Sequence, residues 1–292
     1  MYEEITLDPH CMSEYHYYGL LKERFGFDRG RYIIAPVREW ARAAFNAVKE
    51  STDLQDVKKQ SIKNYLNKIY KEKDQTIFYL PQHRSHIDYI NWLDWVHKQQ
   101  TYAPFHFIIS ETYAGALNYE KIINGDERWH IPPTKLINSN AESIYAEISP
   151  LLKIGNEITI IDPYFVLSGN KVLHAIFNSL TENAGIVKIV LVTAIDTANV
   201  ETIFQNEFMG KYKNIPTFEY ILIPDNFVHD RYLIANKGAL KSGHGFSERV
   251  EKGVQADNLS ISLCGTAECF STKEWIDRFV LEKKAVVKKL YP

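Results

Sequence analysis

Histidine, arginine and glycine crowd into one stretch of this chain, Val228-His229-Asp230-Arg231-Tyr232-Leu233-Ile234-Ala235-Asn236, followed shortly by Gly243-His244-Gly245-Phe246-Ser247. These residue types suit chemistry at a phosphodiester. Its negative charge repels nucleophiles, and the transition state gathers further charge on the phosphoryl oxygens, so a site needs a nucleophile and cations together. A histidine and an arginine separated by one residue on a strand share a face, about 6 to 7 Å apart along the chain. His229 is then a candidate nucleophile, and Arg231 a candidate two-pronged anchor for phosphate oxygens. Glycines at 243 and 245 would let a backbone turn approach the anion, and His244 adds a second donor or acid. Taken alone, a histidine at a strand start is more often structural. It is the joint spacing of His229, Arg231, Asn236 and Gly243 that favours anion binding.

That spacing resembles the motif of the phospholipase D superfamily, in which a lysine and an aspartate occupy the places held here by Arg231 and Asn236. The His-Asp-Arg form with a Gly-x-Gly turn is similar to a subgroup of bacterial proteins, some linked to mobile elements or phage defence. It is also similar to the C-terminal domain of eukaryotic microtubule-interacting-and-transport proteins. The likeness covers about residues 141 to 270, and Asp162-Pro163-Tyr164-Phe165 supports it. It implies an α/β fold, a phospholipase D-like mixed sheet with helices on both faces, following a helical N-terminal region. The catalytic roles fall to His229, Arg231 and His244, and substrate contacts to Asn236, Gly243, Gly245, Asp162 and Tyr164. Neither a metal nor a cofactor is expected.

The implied activity is phosphodiester hydrolysis on a nucleic acid, as a nuclease with a role in antiviral defence. The competing reading is a non-catalytic module that binds an anionic lipid head group or a protein partner. Family chemistry uses two histidines, from two motifs in one chain or from two subunits, and this chain has one clear motif. A symmetric homodimer is therefore expected, or a pseudo-dimer in which the N-terminal half takes the second place and His83, His86 or His130 faces His229.

The elements that must position these residues alternate. A helix over 141–152 leads to a strand at 158–161 that ends on Asp162, then a helix over 170–182, a strand at 187–192, a helix over 199–208 and a strand at 217–223. Such alternation argues for a mainly parallel sheet covered on both faces, with functional groups beyond the carboxyl ends of the strands, where Asp162, Thr193 and Asp225 would lie. Upstream, helices over 36–49 and 54–71, a strand at 76–80, a helix over 85–100 and a strand at 105–109 repeat the order, a hint of duplication. The double proline Pro132-Pro133 suggests domains of 1–135 and 136–292, the first a further surface for a protein partner.

Other segments read more plainly. Gln82-His83-Arg84-Ser85-His86-Ile87-Asp88 fits a capped helix start, with Ser85 as cap and Asp88 as the reciprocal carboxylate, in preference to a metal site or a source of the second histidine. Tyr89, Trp92 and Trp95 fit a core stripe better than base-stacking platforms. Cys11, Cys264 and Cys269 match no zinc spacing and read as buried thiols. Lys283 to Lys289 reads as a solvated helix end. The net charge of -2 excludes a global basic field for nucleic acid, so any such contact is local. Neither a signal peptide nor an apolar membrane span is visible, and a cytoplasmic location is expected.

Overall fold

The computed structural model describes residues 1–72, 76–182, 185–224, 229–248 and 258–292. Asp225 and Val228 lie outside them. The chain divides into two compact units, one of residues 2–131 and one of residues 132–292 together with Met1.

The first unit, expected as a region of helices with strands at 76–80 and 105–109, is built on a four-stranded sheet. Its elements run β1 (Glu3–Leu7), α1 (Tyr15–Glu23), β2 (Arg31–Ile34), α2 (Val37–Glu50), α3 (Asp56–Glu72), β3 (Phe78–Tyr79), α4 (Trp92–Tyr102), β4 (Phe107–Ile109) and α5 (Tyr119–Ile123). The four strands lie in the order β3-β2-β1-β4, all parallel. The central strand β1 carries two glutamates, which disguise it. Glu3 is paired with Arg31 at 2.7 Å and Glu4 with Arg84 at 2.5 Å, so the charges that argue against a buried strand are neutralised within the fold.

The same ion pair displaces the helix expected from Ser85. Gln82–Arg84 form a 3-10 turn that drives Arg84 into the interior, where Nη1 also donates to Gln99 Oε1 at 3.2 Å. Ser85 donates its hydroxyl to Gln82 O, and α4 begins only at Trp92, capped by Asn91 Oδ1 accepting from the Asp94 amide at 2.9 Å. His83 Nε2 sits 3.3 Å from Glu4 Oε1, so this histidine serves the same buried cluster. Trp92 and Trp95 are core residues, as their spacing predicts.

The second unit contains β5 (Thr134–Asn138), α6 (Ala141–Ile154), β6 (Glu157–Ile161), α7 (Lys171–Glu182), β7 (Lys188–Thr193), α8 (Val200–Phe204), β8 (Thr217–Leu222), β9 (Arg231–Ala235), β10 (Gly238–Ser242), β11 (Asn258–Leu263), α9 (Thr266–Leu281) and β12 (Val286–Tyr291). Its eight-stranded sheet has the order β12-β8-β7-β6-β9-β10-β11-β5. Only β6, β7 and β8 are mutually parallel, and every other pairing is antiparallel. The sheet is therefore mixed, not mainly parallel, because β9 to β11 form a meander that needs no crossover helices.

Helices cover both faces of the parallel strands. Ile158, Ile189 and Phe218 stand side by side on one face, where Phe218 meets Phe177 of α7 and Phe204 of α8. Thr159, Val190 and Glu219 stand on the other, and with Ile276 of α9 they border an open cavity of about 240 Å³. The C-terminal lysines do not end a helix as expected. Lys283 and Lys284 follow α9, and Lys288 and Lys289 lie in the edge strand β12, paired antiparallel with β8.

The suggested duplication stops at element order. In the second unit β6 and β7 are hydrogen-bonded neighbours, whereas β3 and β4 lie at opposite edges of their sheet. The two segments share a succession of helices and strands but differ in topology.

Candidate functional site

The register around β6 gathers the motif residues. β9 runs antiparallel to β6 with Ile161 opposite Tyr232, so the start of β9 lies beside the carboxyl end of β6, where Asp162 follows. β10 returns along β9 with Ser242 opposite Arg231, which brings Gly243 to Ser247 to the same end. The β6–α7 connection, the start of β9 and the turn after β10 thus converge at one sheet edge, the place where α/β folds collect ligands.

Asp162 organises this edge from beneath. It is 2% exposed, and a carboxylate so buried must have its oxygens satisfied. Oδ1 accepts from the Tyr164 amide and Oδ2 from the Phe246 amide, both at 3.0 Å. Gly245 is essential to that contact: its φ is +95°, and a Cβ there would lie 2.3 Å from Asp162 Oδ2. Ser242, a residue the motif did not point to, donates its hydroxyl to Gly245 O at 2.7 Å and accepts from the His244 amide at 3.3 Å. Its sequence signal was only a serine ending an apolar strand. The turn is tied further to α7, since Asn170 donates to Ser247 Oγ at 2.9 Å while its own oxygen caps the Leu173 amide.

Arg231 is partly buried above this scaffold. Its Nη1 donates to Gly243 O at 3.3 Å, and the guanidinium carbon stands 5.3 Å from the centre of the Tyr164 ring. Its Nε is buried with no hydrogen-bond partner among the described residues. Asp230 belongs to the opposite face of the hairpin, where its carboxylate accepts from Tyr232 OH and Lys241 Nζ, both at 3.2 Å.

The expected site residues thus fall into three groups. His229, Arg231, Gly243, His244 and Tyr164 lie at or above the edge, and both histidines are exposed. His229 precedes β9 and is not itself in the strand. Asp162 and Gly245 lie below, shaping the turn, and each oxygen of Asp162 accepts from a backbone amide. Asn236 is elsewhere: it sits in the β9–β10 turn and accepts from the Asn156 amide at 3.0 Å, about 16 Å along the strand from Arg231. Thr193 is fully buried and holds the Asp162-Pro163-Tyr164-Phe165 segment by donating to Phe165 O at 3.0 Å.

The three cysteines are buried and unbridged. Among the described residues no helix is long and apolar enough to cross a membrane.

Fold and site together describe a two-unit α/β protein whose larger unit presents an arginine and two histidines at the edge of a mixed sheet. No family model and no curated protein matches the chain. Among solved structures, it is similar to phosphatidylserine synthase of Haemophilus influenzae, with a TM-score of 0.35 and 16% identity over 54% of this chain and 39% of that one. It is also similar to TrmBL2, an archaeal chromatin protein, with a TM-score of 0.29 and 11% identity over 81% of this chain and 69% of that one. The chain therefore spans well under half the length of the synthase, and likenesses of this size bear on no residue of the site.

Proposed function

We propose that residues 132–292 form a phospholipase D-like unit that binds and hydrolyses a phosphodiester of a nucleic acid. The observation that carries this reading is the guanidinium of Arg231, held between Gly243 O and the Tyr164 ring beside two exposed histidines. His229 Nε2 attacks phosphorus while Arg231 holds the non-bridging oxygens. The P–O bond to the leaving group breaks, and an imidazolium donates its proton to that oxygen. Water then attacks the phosphohistidine, the P–N bond breaks, and the proton returns to the second histidine.

His244 supplies that second imidazole. The β9–β10 register ends at Arg231 opposite Ser242, so the segments that carry His229 and His244 adjoin the same end of the hairpin. One hairpin then offers both imidazoles, and a partner subunit is not needed to complete the set.

The test is hydrolysis of single-stranded DNA, duplex DNA and RNA by the wild type and by His229→Ala and His244→Ala, separately and mixed. His229→Ala is expected to abolish turnover and His244→Ala to slow it by about 10² to 10⁴, with no recovery on mixing. An unaffected His244→Ala would move the acid to the His229 of a second subunit and restore the homodimer. A wild type that binds phosphodiesters without cleaving them would leave the binding-module reading.

A further inference from the structure

Among the described residues, Tyr164 is the one large aromatic side chain held against the candidate phosphate anchor, and it is 58% exposed. A single exposed ring is ordinary on a protein surface; what sets this one apart is its place beside a cation. Here the ring is also rigidly mounted. Its amide is fixed on Asp162 Oδ1, and the preceding carbonyl, that of Pro163, accepts from the Ala194 amide at 3.1 Å and from Thr193 Oγ1 at 3.3 Å. One direction of approach to the ring is taken by the guanidinium of Arg231, whose hydrogen bond to Gly243 O keeps it there. Val166, 45% exposed, extends the apolar surface along the same connection.

Building on the assignment of Arg231 as a phosphate anchor, we infer that Tyr164 is a stacking platform for an unpaired base adjoining the bound phosphate, so that the site selects single-stranded over duplex nucleic acid. A phosphate on Arg231 places its own nucleotide within reach of the ring, because ring and guanidinium are neighbours. In a duplex both faces of each base are already stacked and its edge is paired, so the ring could be used only after extrusion. An unpaired strand has its bases available, and stacking accepts any base because each has a π face. A bare phosphate or a lipid head group would gain nothing from the ring, which separates this substrate class from the other anions that Arg231 could hold.

The experiment measures equilibrium binding of four probes under conditions that prevent turnover, with His229→Ala as the background. The probes are a labelled single-stranded thymidine oligonucleotide, an abasic strand with the same number of phosphates, a duplex of the same length, and vesicles containing phosphatidylglycerol. The thymidine strand should bind about tenfold or more tightly than the abasic strand and the duplex. Tyr164→Ala should remove that margin, costing the thymidine strand more than the abasic one, while Tyr164→Phe should retain it. Equal binding of thymidine and abasic strands, a margin that survives Tyr164→Ala, or an equal loss on both strands would each overturn the inference. Vesicle binding that depends on Tyr164 in the absence of oligonucleotide binding would overturn it in favour of a membrane surface. Arg231→Ala separates the two levels: if it leaves abasic binding intact, the phosphate anchor itself is wrongly assigned.

Discussion

Arg231 stands where the resembling family carries lysine, and its surroundings explain why a guanidinium fits. Its Nη1 is used to hold Gly243 O and its guanidinium carbon lies 5.3 Å from the centre of an aromatic ring, two tasks a compact ammonium performs less well. Arg231→Ala is expected to weaken phosphodiester binding by about 2–3 kcal/mol, the usual loss of a charge-assisted contact in a partly dry site. Arg231→Lys should keep the charge and turnover while loosening the Gly243 contact, so that binding falls less than in the alanine variant. Titration calorimetry with an abasic strand measures both. Binding unchanged in both variants would make Arg231 structural. The neighbouring carboxylate shows the opposite economy: Asp162 looks like a site residue by position, yet its oxygens are engaged by the amides of Tyr164 and Phe246.

At the scale of elements, the site is a turn braced from below, and its weak point is Gly245. At φ +95° a side chain is strained by about 1–2 kcal/mol, and a Cβ 2.3 Å from Asp162 Oδ2 forces the carboxylate or the turn to move. Gly245→Ala should therefore destabilise the second unit by at least about 2 kcal/mol and reduce turnover beyond what that loss explains, since His244 moves with the turn. Gly243→Ala should behave differently. That glycine has no positive φ, and a Cβ there meets only the side-chain oxygen of Ser260 at 2.8 Å. Urea unfolding of the pair of variants, with turnover measured on the folded fraction, distinguishes a braced turn from a merely crowded one; equal effects would sink the bracing role of Asp162.

Across the whole molecule, acid sensitivity is expected, and in the first unit it has an identifiable source in Glu4. Burial pushes the Glu4 carboxyl up, but the His83 contact and the Arg84 charge outweigh it and hold the group below its ordinary value. A depressed carboxylate contributes stability that is fully present above the unfolded-state pKa and is lost as pH falls through the folded-state value. Residues 2–131 should thus lose stability progressively below about pH 4, and Glu4→Gln should be less stable near neutrality with a flatter acid decline. Tryptophan emission reports this unit well, because Trp40, Trp92, Trp95 and Trp129 belong to it and only Trp275 to the other. An acid decline as steep in Glu4→Gln as in the wild type would remove Glu4 as its source.

Local patterns in the sequence carried much of the second unit. Apolar runs at 158–161, 187–192 and 217–223 met helix-period stretches between them, and burial of one face is enough to define each element before any partner is known. The grouping of His229, Arg231 and Gly243 to His244 was also legible, because a hairpin keeps residues near in sequence near in space. What local pattern could not supply was pairing. The antiparallel meander of β9 to β11, the edge position of β12 and the parallel sheet of the first unit depend on long-range contacts. No strand is legible at residues 3–7, where Glu3 and Glu4 interrupt the apolar pattern and are matched by Arg31 and Arg84 from 28 and 80 residues away. The same limit separated Asn236 from the site and turned Asp162 into its support. Spacing along a chain records which residues travel together, but only the fold decides which end of a strand they reach and whether an oxygen faces a ligand or a backbone amide.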